Sequence, residues 1–185
     1  MEVDDLRSPD ADLTRRARDG DEAAWHEMVD RYGAYLYGLA FSLVGNAADA
    51  EDVVQDTFSS ALRHIRDFEG RSSVKTWLSR ILVRRAARCH RSRARHEVVP
   101  FDALSTRQGS DTRASAENAS DARMDVLAVL GTLSIEHREV IVLRELQGMS
   151  YEEIAGVLAV PRGTVESRLF RARQILRERL KDYLT

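Results

Sequence analysis

The spacing of apolar residues is the feature that most constrains the fold of this 185-residue chain. Apolar side chains recur every three or four residues along most of its length, which is the period of an amphipathic helix. No stretch alternates apolar and polar residues convincingly, as a half-buried strand would. The sequence therefore predicts an all-α fold, and its length suits two small helical domains.

The first half of the chain predicts several helices that share one core. A helix is expected over 21–45, ending at a glycine that can act as a C-terminal cap. Asp49 is the expected N-cap of the next helix. A loop is expected over 67–73, and a further helix over 74–95. The predicted buried stripe of the helix after Asp49 is Ala50, Val54, Phe58, Ala61, Leu62 and Ile65.

The second half predicts a smaller group of helices. Leucines suggest a short helix over 124–133, and Ser134 is expected to cap a second one that Gly148 stops. Ser150 and Glu153 form a capping box for a third helix. Pro161 should separate that helix from a last one that reaches about Leu180.

These patterns predict two domains joined by a linker. Residues 1–10 are expected to be disordered, and 11–95 form the first domain. Residues 96–122 are poor in core-forming side chains and predict a flexible linker. The second domain is expected over 123–185.

Acidic and basic residues are segregated along the chain, although the formal net charge is only -2. Residues 1–70 are predominantly acidic, whereas 71–95 contain no Asp or Glu and 161–181 contain only two acids. The basic residues of 71–95 are Arg71, Lys75, Arg80, Arg84, Arg85, Arg88, Arg91, Arg93 and Arg95. Two cationic segments favour a polyanionic partner, because neutralised phosphates release counterions. Solvated helix faces are the alternative.

Five arginines of the first cationic segment recur at spacings of four, four, three and four. They are Arg80, Arg84, Arg88, Arg91 and Arg95. A helical stripe of like charges repels itself, so we expect it to face phosphates. Phe68 and Trp77 lie near the start of the stripe and are candidates to stack unpaired bases. A buried position in the core is the more common role for a residue such as Trp77.

Residues 151–173 have the layout of a helix-turn-helix, with the turn at 159–161. Val165 and Leu169 should pack inward and leave polar residues exposed near the N-terminal half of the second helix. Arginine can donate two hydrogen bonds to guanine, and glutamate can accept one from cytosine. An ordinary helical hairpin with a charged, solvated face is the alternative.

The segment DAEDVVQDTF, residues 49–58, places polar side chains on one helix face. A solvated acidic face and a docking surface for a basic protein partner both remain possible. A metal site would need further ligands at matching spacing on another helix, and none is evident. We therefore expect no metal and no cofactor.

Other sequence features exclude several functional classes. No serine, histidine and aspartate arrangement and no phosphate-binding glycine loop occurs, so enzymatic activity is unsupported. Cys89 is the only cysteine, which excludes an internal disulfide. No apolar run approaches the length of a membrane span, and no signal-peptide block is present at the start. We expect a soluble, intracellular protein without membrane insertion.

Three segments together resemble the extracytoplasmic-function (ECF) sigma factors of the sigma-70 family. They are DAEDVVQDTF, FEGRSSVKTWLSRILVRRAARCHRSRAR and LSIEHREVIVLRELQGMSYEEIAGVLAVPRGTVESRLFRAR. The resemblance runs from about Leu13 to Leu180 apart from the linker. It implies that 11–95 are sigma region 2 and 123–185 are region 4, in a cytoplasmic transcription initiation factor.

The resemblance also implies the partners and the role of each surface. Core RNA polymerase would bind through the clamp helices of its largest subunit and through the β-subunit flap. Promoter DNA would be bound as a duplex at the -35 element and as a single strand at the -10 element, where the loop would capture a flipped base. An anti-sigma factor is a further implied partner.

The residues implied for these roles fall in three groups. Core polymerase would contact Asp49, Asp52, Gln55, Asp56 and Ser59. The -10 element would contact Phe68, Arg71, Ser72, Ser73, Lys75, Trp77, Arg80, Arg84, Arg85 and Arg88. The -35 element would contact Arg162, Thr164, Glu166, Ser167, Arg168, Phe170, Arg171 and Arg173.

Two residues depart from the family pattern. Glu166 stands where many relatives have a basic residue, so a different -35 sequence is expected. Ala159 replaces a glycine common at the turn, a change that is tolerated if its backbone stays at a negative φ. The rival functions are a free-standing DNA-binding regulator and an all-helical metalloenzyme that uses the acids of 49–56.

Overall fold

A computed structural model describes residues 9–96 and 126–181 of the chain. Every regular element in these two ranges is helical, as the sequence predicts. Predictions for the first eight residues, for the linker over 97–122 and for Met124 lie outside the described residues.

Helices form two bodies, one in each described range. The N-terminal body contains α1 (Pro9–Arg18), α2 (Glu22–Val44), α3 (Ala47–His64), a 3₁₀ turn (Ile65–Asp67) and α4 (Val74–His96). The C-terminal body contains α5, described over 126–131, α6 (Ile135–Ile141), a π-helical turn (Val142–Leu146), α7 (Tyr151–Leu158) and α8 (Arg162–Lys181). Helix α1 was not predicted.

Local capping signals explain most helix ends. Asp21 accepts hydrogen bonds from the amides of Ala23 and Ala24, and Gly45 ends α2 with a φ of 81°. The predicted cap at Asp49 is wrong. The side chain of Asn46 accepts from the Asp49 amide at 2.9 Å, so α3 begins three residues earlier than expected.

The core of the N-terminal body lies where α1, α2, α3 and α4 meet. Its fully buried large side chains are Leu13, Met28, Leu36, Leu39, Leu78 and Leu82. The predicted stripe of α3 is wrong at Leu62, whose residue surface is 52% exposed. Val53 is buried against the other helices instead.

The C-terminal body has its own core around the helix-turn-helix. Leu143, Ile154, Val157, Val165 and Leu169 are buried between α6, the π-helical turn, α7 and α8. The Ser134 cap and the Ser150–Glu153 capping box are confirmed. Leu180, at the end of α8, remains exposed.

The turn of the helix-turn-helix lies at 159–161, as predicted, but with a different backbone. Ala159 has a φ of 55° and a ψ of 44°, so its backbone does not keep the negative φ at which alanine would replace glycine without strain. The Val160 amide donates to the Ala155 carbonyl at 3.2 Å. This closure is typical of a Schellman motif, which requires a left-handed residue at this place.

The two bodies pack on each other, with α7 against α4. Arg138 Nη1 of α6 donates to the carbonyl of Leu43 of α2 at 2.8 Å. Arg80 Nη2 of α4 lies 3.4 Å from the position that a β-carbon would take on Gly156 of α7. The sequence analysis expected only a tether between the bodies, and this contact is therefore new.

Across the two described ranges, none of the helices combines the length and the apolar character needed to cross a bilayer.

Candidate nucleic-acid interface

Helix α4 presents most of its arginine stripe to solvent. Arg84, Arg88 and Arg91 are exposed, and Arg85 is half-buried. With Trp77 and Ile81 they line an open cleft beside Ser60 and His64 of α3. Arg95 lies within α4, but the structure does not describe its side chain. The cleft is thus a positively charged groove of the kind that follows a phosphate backbone.

Arg80 differs from the rest of the stripe because α7 covers it. Its side chain is half-buried, and its Nε atom is buried without a hydrogen-bond partner. A buried donor without an acceptor costs about 1–3 kcal/mol. The contact between the two bodies therefore carries a local cost at one of the predicted DNA-binding residues.

The loop over 68–73 connects the 3₁₀ turn to α4. Arg71 is highly exposed and pairs with Glu69 at 2.5 Å. Ser73 caps α4, because its Oγ accepts from the Thr76 amide at 3.1 Å. Ser72 is half-buried at the same bend.

Two aromatic residues of the predicted -10 surface pack on each other. The rings of Phe68 and Trp77 have centroids 4.9 Å apart. Phe68 is only 7% exposed, so its ring belongs to the core and is not free to stack on a base. Trp77 is half-buried and keeps one edge in the arginine cleft. Lys75 is exposed with its Nζ 4.4 Å from the centre of the Tyr35 ring.

A second cleft lies between the 68–73 loop and α1. Helix α1 contributes Asp10, Thr14, Arg15 and Arg18, and the space measures about 320 Å³. Arg18 Nη2 donates to the Phe68 carbonyl and so ties α1 to the loop. The sequence analysis assigned no role to these α1 arginines, although the Arg15-Arg16-Arg18 cluster stands out in an otherwise acidic segment.

The acidic face of α3 is exposed at Asp52, Gln55, Asp56 and Ser59. Asp49 differs, because its side chain is only 17% exposed and pairs with Arg93 of α4 at 2.9 Å. The pKa of the nearby Cys89 thiol is raised, first by burial and then by a hydrogen bond to Asp49. No group of three or more potential metal ligands occurs within 9–96 and 126–181.

Helix α8 exposes a narrower face than the sequence predicts. Ser167, Phe170 and Arg171 are exposed, and Phe170 is 63% accessible to solvent. Arg162 bonds Glu166 at 2.9 Å and Glu152 at 2.6 Å, so both predicted contacts at 162 and 166 are paired with each other. Thr164 is half-buried, and its carbonyl accepts from Ser167.

Two residues of α8 that were predicted to contact DNA lie beside its buried face and not on the opposite, solvent-facing side. Arg168 has a side chain only 21% exposed and pairs with Glu136 of α6 at 3.2 Å. Arg173 pairs with Glu145 at 2.7 Å. Each lies about 70° from the centre of the buried stripe, at 100° per residue. Both arginines therefore brace α8 against the rest of its body.

An apolar groove crosses the C-terminal body away from α7. Val126, Leu146 and Leu180 are each more than 40% exposed there, and Leu176 lies between them. Exposed apolar side chains grouped in this way are typical of a protein-binding surface.

Family comparisons match each body separately. The model for sigma-70 region 2 matches residues 28–96, and the model for sigma-70 region 4 matches residues 123–176. The ECF RNA polymerase sigma-E factor of Haemophilus influenzae is 34% identical over 184 residues, which cover 95% of this chain and 97% of that protein. The chain is an ECF RNA polymerase sigma factor of the sigma-70 family. Sigma factors initiate transcription and are not themselves enzymes.

Other relatives agree with this membership. The sigma-E factor of Escherichia coli K12 is 34% identical and covers 93% of the chain and 94% of that protein. The solved structure of CnrH in complex with the cytosolic domain of CnrY has a TM-score of 0.71 at 33% identity, and covers 94% of this sigma factor and 97% of that chain. The structure of RpoE of Bartonella quintana in complex with the anti-sigma factor NepR has a TM-score of 0.66 at 30% identity. That alignment covers 84% of this sigma factor and 96% of the RpoE chain.

Proposed function

We propose that this sigma factor binds core RNA polymerase, reads the -35 element with α8 and stabilises the melted -10 strand on α4 and the 68–73 loop. The observation that carries the proposal is the combination of an exposed arginine cleft on α4 with an exposed polar face around Arg171 on α8, which belong to different bodies. Each surface suits a different form of nucleic acid. We also propose 11–95 and 123–185 as the two functional units, joined by 96–122.

The -10 surface is suited to single-stranded DNA. The cleft of α4 combines exposed arginines with the edge of Trp77, and the 68–73 loop borders a cleft for a base. Binding that favours the single strand over the duplex shifts the equilibrium toward the open form. Melting then follows from differential affinity and needs no catalytic residue.

The -35 surface is suited to the major groove. The exposed face in the N-terminal half of α8 contains Arg162, Glu166, Ser167, Phe170 and Arg171. A helix of this kind enters the groove with its N-terminal residues against base edges. Because Arg162 and Glu166 bind each other, we infer that they present one paired unit to the DNA rather than two independent contacts.

Polymerase would engage both bodies. The exposed face of Asp52, Gln55 and Asp56 is the proposed contact for the clamp helices of the largest subunit. The apolar groove of the C-terminal body is the proposed contact for the β-subunit flap, since an amphipathic helix binds in such a groove. Action with core polymerase places the protein in the cytoplasm.

The two bodies would separate on the promoter. In the structure α7 covers Arg80 of the -10 surface. The -35 and -10 elements are centred about 25 base pairs apart, which is about 85 Å at about 3.4 Å per base pair. Bodies in direct contact cannot span that distance. Because CnrH and RpoE were solved with CnrY and an anti-sigma factor, we propose an anti-sigma partner here as well.

A charge reversal on α3 tests the polymerase contact. Asp56→Arg should weaken binding to core polymerase by at least about tenfold, because the new arginine would face a basic partner and like charges repel at an interface. Asp30→Arg, an exposed acid on α2, is the charge-matched control and should bind normally. The assays are co-elution with core polymerase and promoter-directed transcription.

Two results would contradict the proposal. A wild-type protein that does not co-elute with core polymerase but binds duplex DNA would support the free-standing regulator. Equal transcription by both charge-reversal variants would remove α3 from the interface.

A further inference from the structure

The cleft beside the 68–73 loop has two walls, and only one of them has a role in the proposed function. The loop forms the first wall, and Thr14, Arg15 and Arg18 of α1 contribute to the second. Its volume of about 320 Å³ is near the lower end of small-ligand sites, which span about 300–1,000 Å³. The space therefore suits one base rather than a length of strand.

The carboxylates of the cleft are already bound by side chains that do not line it. Asp10 accepts from Arg31 Nη1 at 2.7 Å and from the Tyr32 hydroxyl at 2.5 Å. Glu69 pairs with Arg71 at 2.5 Å. The acids thus oppose an incoming phosphate less than their number suggests.

Arg18 is the arginine of the cleft whose positive charge is best placed to bind DNA. Within 9–96 and 126–181 it forms no ion pair with a carboxylate, and its side chain donates to the Phe68 carbonyl. A guanidinium has five N–H donors, so most remain available to a phosphate or a base. Because the Phe68 ring is buried, its carbonyl is a rigid anchor for the guanidinium.

The neighbouring arginines of α1 divide between two directions. Arg15 lines the cleft and pairs with Asp12 on the exposed side of the helix. Arg16 points elsewhere, since it bonds Asp21 at 2.9 Å and Glu27 at 3.2 Å. The chain therefore supplies a matched arginine on the same helix that does not reach the cleft.

We propose that α1 is the second wall of the base-capture site, with Arg18 holding the 68–73 loop and binding a phosphate of the captured strand. Arg15 supplies a second cation at the rim. This inference rests on the proposed capture of a flipped base by the loop. Arg18 is a positioning residue as well as a DNA contact, because one guanidinium joins loop and strand.

The test uses holoenzyme assembled from the full chain and core polymerase. The probe is a bubble duplex from a promoter that this holoenzyme transcribes, with one nucleotide of the unpaired -10 strand made abasic in turn. Wild type should lose about tenfold in affinity at one abasic position, the value of one base contact. Arg18→Ala should lose about tenfold on the intact probe and at most about twofold more on that abasic probe.

Control variants separate a local effect from misfolding. Arg16→Ala should match wild type within about twofold on both probes, since surface ion pairs contribute little. Arg18→Lys keeps the charge but not the two-sided geometry, and should bind about threefold more weakly than wild type. It preserves the test if Arg18→Ala fails to fold.

The possible results separate the role of Arg18 from the proposed capture of a flipped base by the loop. If the Arg18→Ala loss and the abasic loss multiply, Arg18 acts outside the capture site and the inference is wrong. Wild-type behaviour of Arg18→Lys on every probe would also overturn it. If no abasic position weakens wild type, base capture itself fails, and the α1 inference fails with it.

Discussion

The left-handed residue at the helix-turn-helix turn provides a sharp test of the structure. Ala159 is the only residue other than glycine with a positive φ in 9–96 and 126–181. In this conformation the β-carbon crowds the following carbonyl, which costs about 1–2 kcal/mol. Ala159→Gly removes that crowding and leaves the Schellman hydrogen bonds in place.

The magnitude follows from two opposing contributions. Glycine relieves about 1–2 kcal/mol of strain but adds about 0.4–1 kcal/mol of freedom to the unfolded chain. The net expectation is a gain of about 0.5–1 kcal/mol in the free energy of unfolding. For a chain of this size that gain corresponds to a rise of about 1–4 °C in Tm.

Urea and thermal unfolding of the full chain measure the effect against two controls. Ala34→Gly, at an exposed position within α2, should lose about 0.5–1 kcal/mol, because glycine weakens a regular helix. Gly45→Ala should destabilise, since it creates the same strain at a φ of 81°. If Ala159→Gly destabilises the chain as much as Ala34→Gly, the left-handed turn is wrong.

Three further predictions concern DNA reading, pH and the contact between the bodies. Arg171→Ala should reduce the discrimination between matched and scrambled -35 elements by about 1–3 kcal/mol. Arg88→Ala should weaken binding to both DNA sequences equally and lower the salt dependence of binding. Competition binding assays distinguish these two outcomes. Burial raises the pKa of Glu139 from 4.5 to about 7, with Arg168 opposing and Glu136 adding to the shift. The free energy of unfolding should therefore fall as pH rises from about 4.5 to about 7. Glu139→Gln should remove this pH dependence and raise the free energy of unfolding by about 1–2 kcal/mol above pH 7, as measured by urea titration. An unchanged pH dependence in the variant would contradict the assignment to Glu139. Finally, spin labels on α7 and α4 should be close in the free protein and far apart in holoenzyme on a promoter, and an unchanged distance would show that the bodies do not separate.

The sequence predicts those helix ends that are set by hydrogen bonds between neighbouring residues. Asp21, Ser134 and the Ser150–Glu153 pair act within a few residues of their own position, so their patterns identify helix ends directly. The start of α3 was misplaced because Asn46 and Asp49 are both good caps, and the alanines between them readily extend a helix. Helix α1 was missed because Leu13 and Ala17 give too short an apolar pattern.

Non-local contacts explain what the sequence does not predict. Phe68 and Leu62 are both apolar, and only packing decides that the first is buried and the second exposed. The positive φ of Ala159 follows from the closure of the turn, which overrides the preference of alanine. The pairing of Arg168 with Glu136 joins distant segments, so periodicity alone could not separate it from Arg171.

Site-specific photocrosslinking of holoenzyme on one transcribed promoter tests the central claim most directly. A crosslinking residue would replace Phe170 of α8 in one protein and Arg84 of α4 in another. We expect position 170 to attach to the duplex at the -35 element and position 84 to the unpaired -10 strand of the same promoter. Attachment of both positions to a single stretch of DNA, or of neither to DNA, would contradict the account.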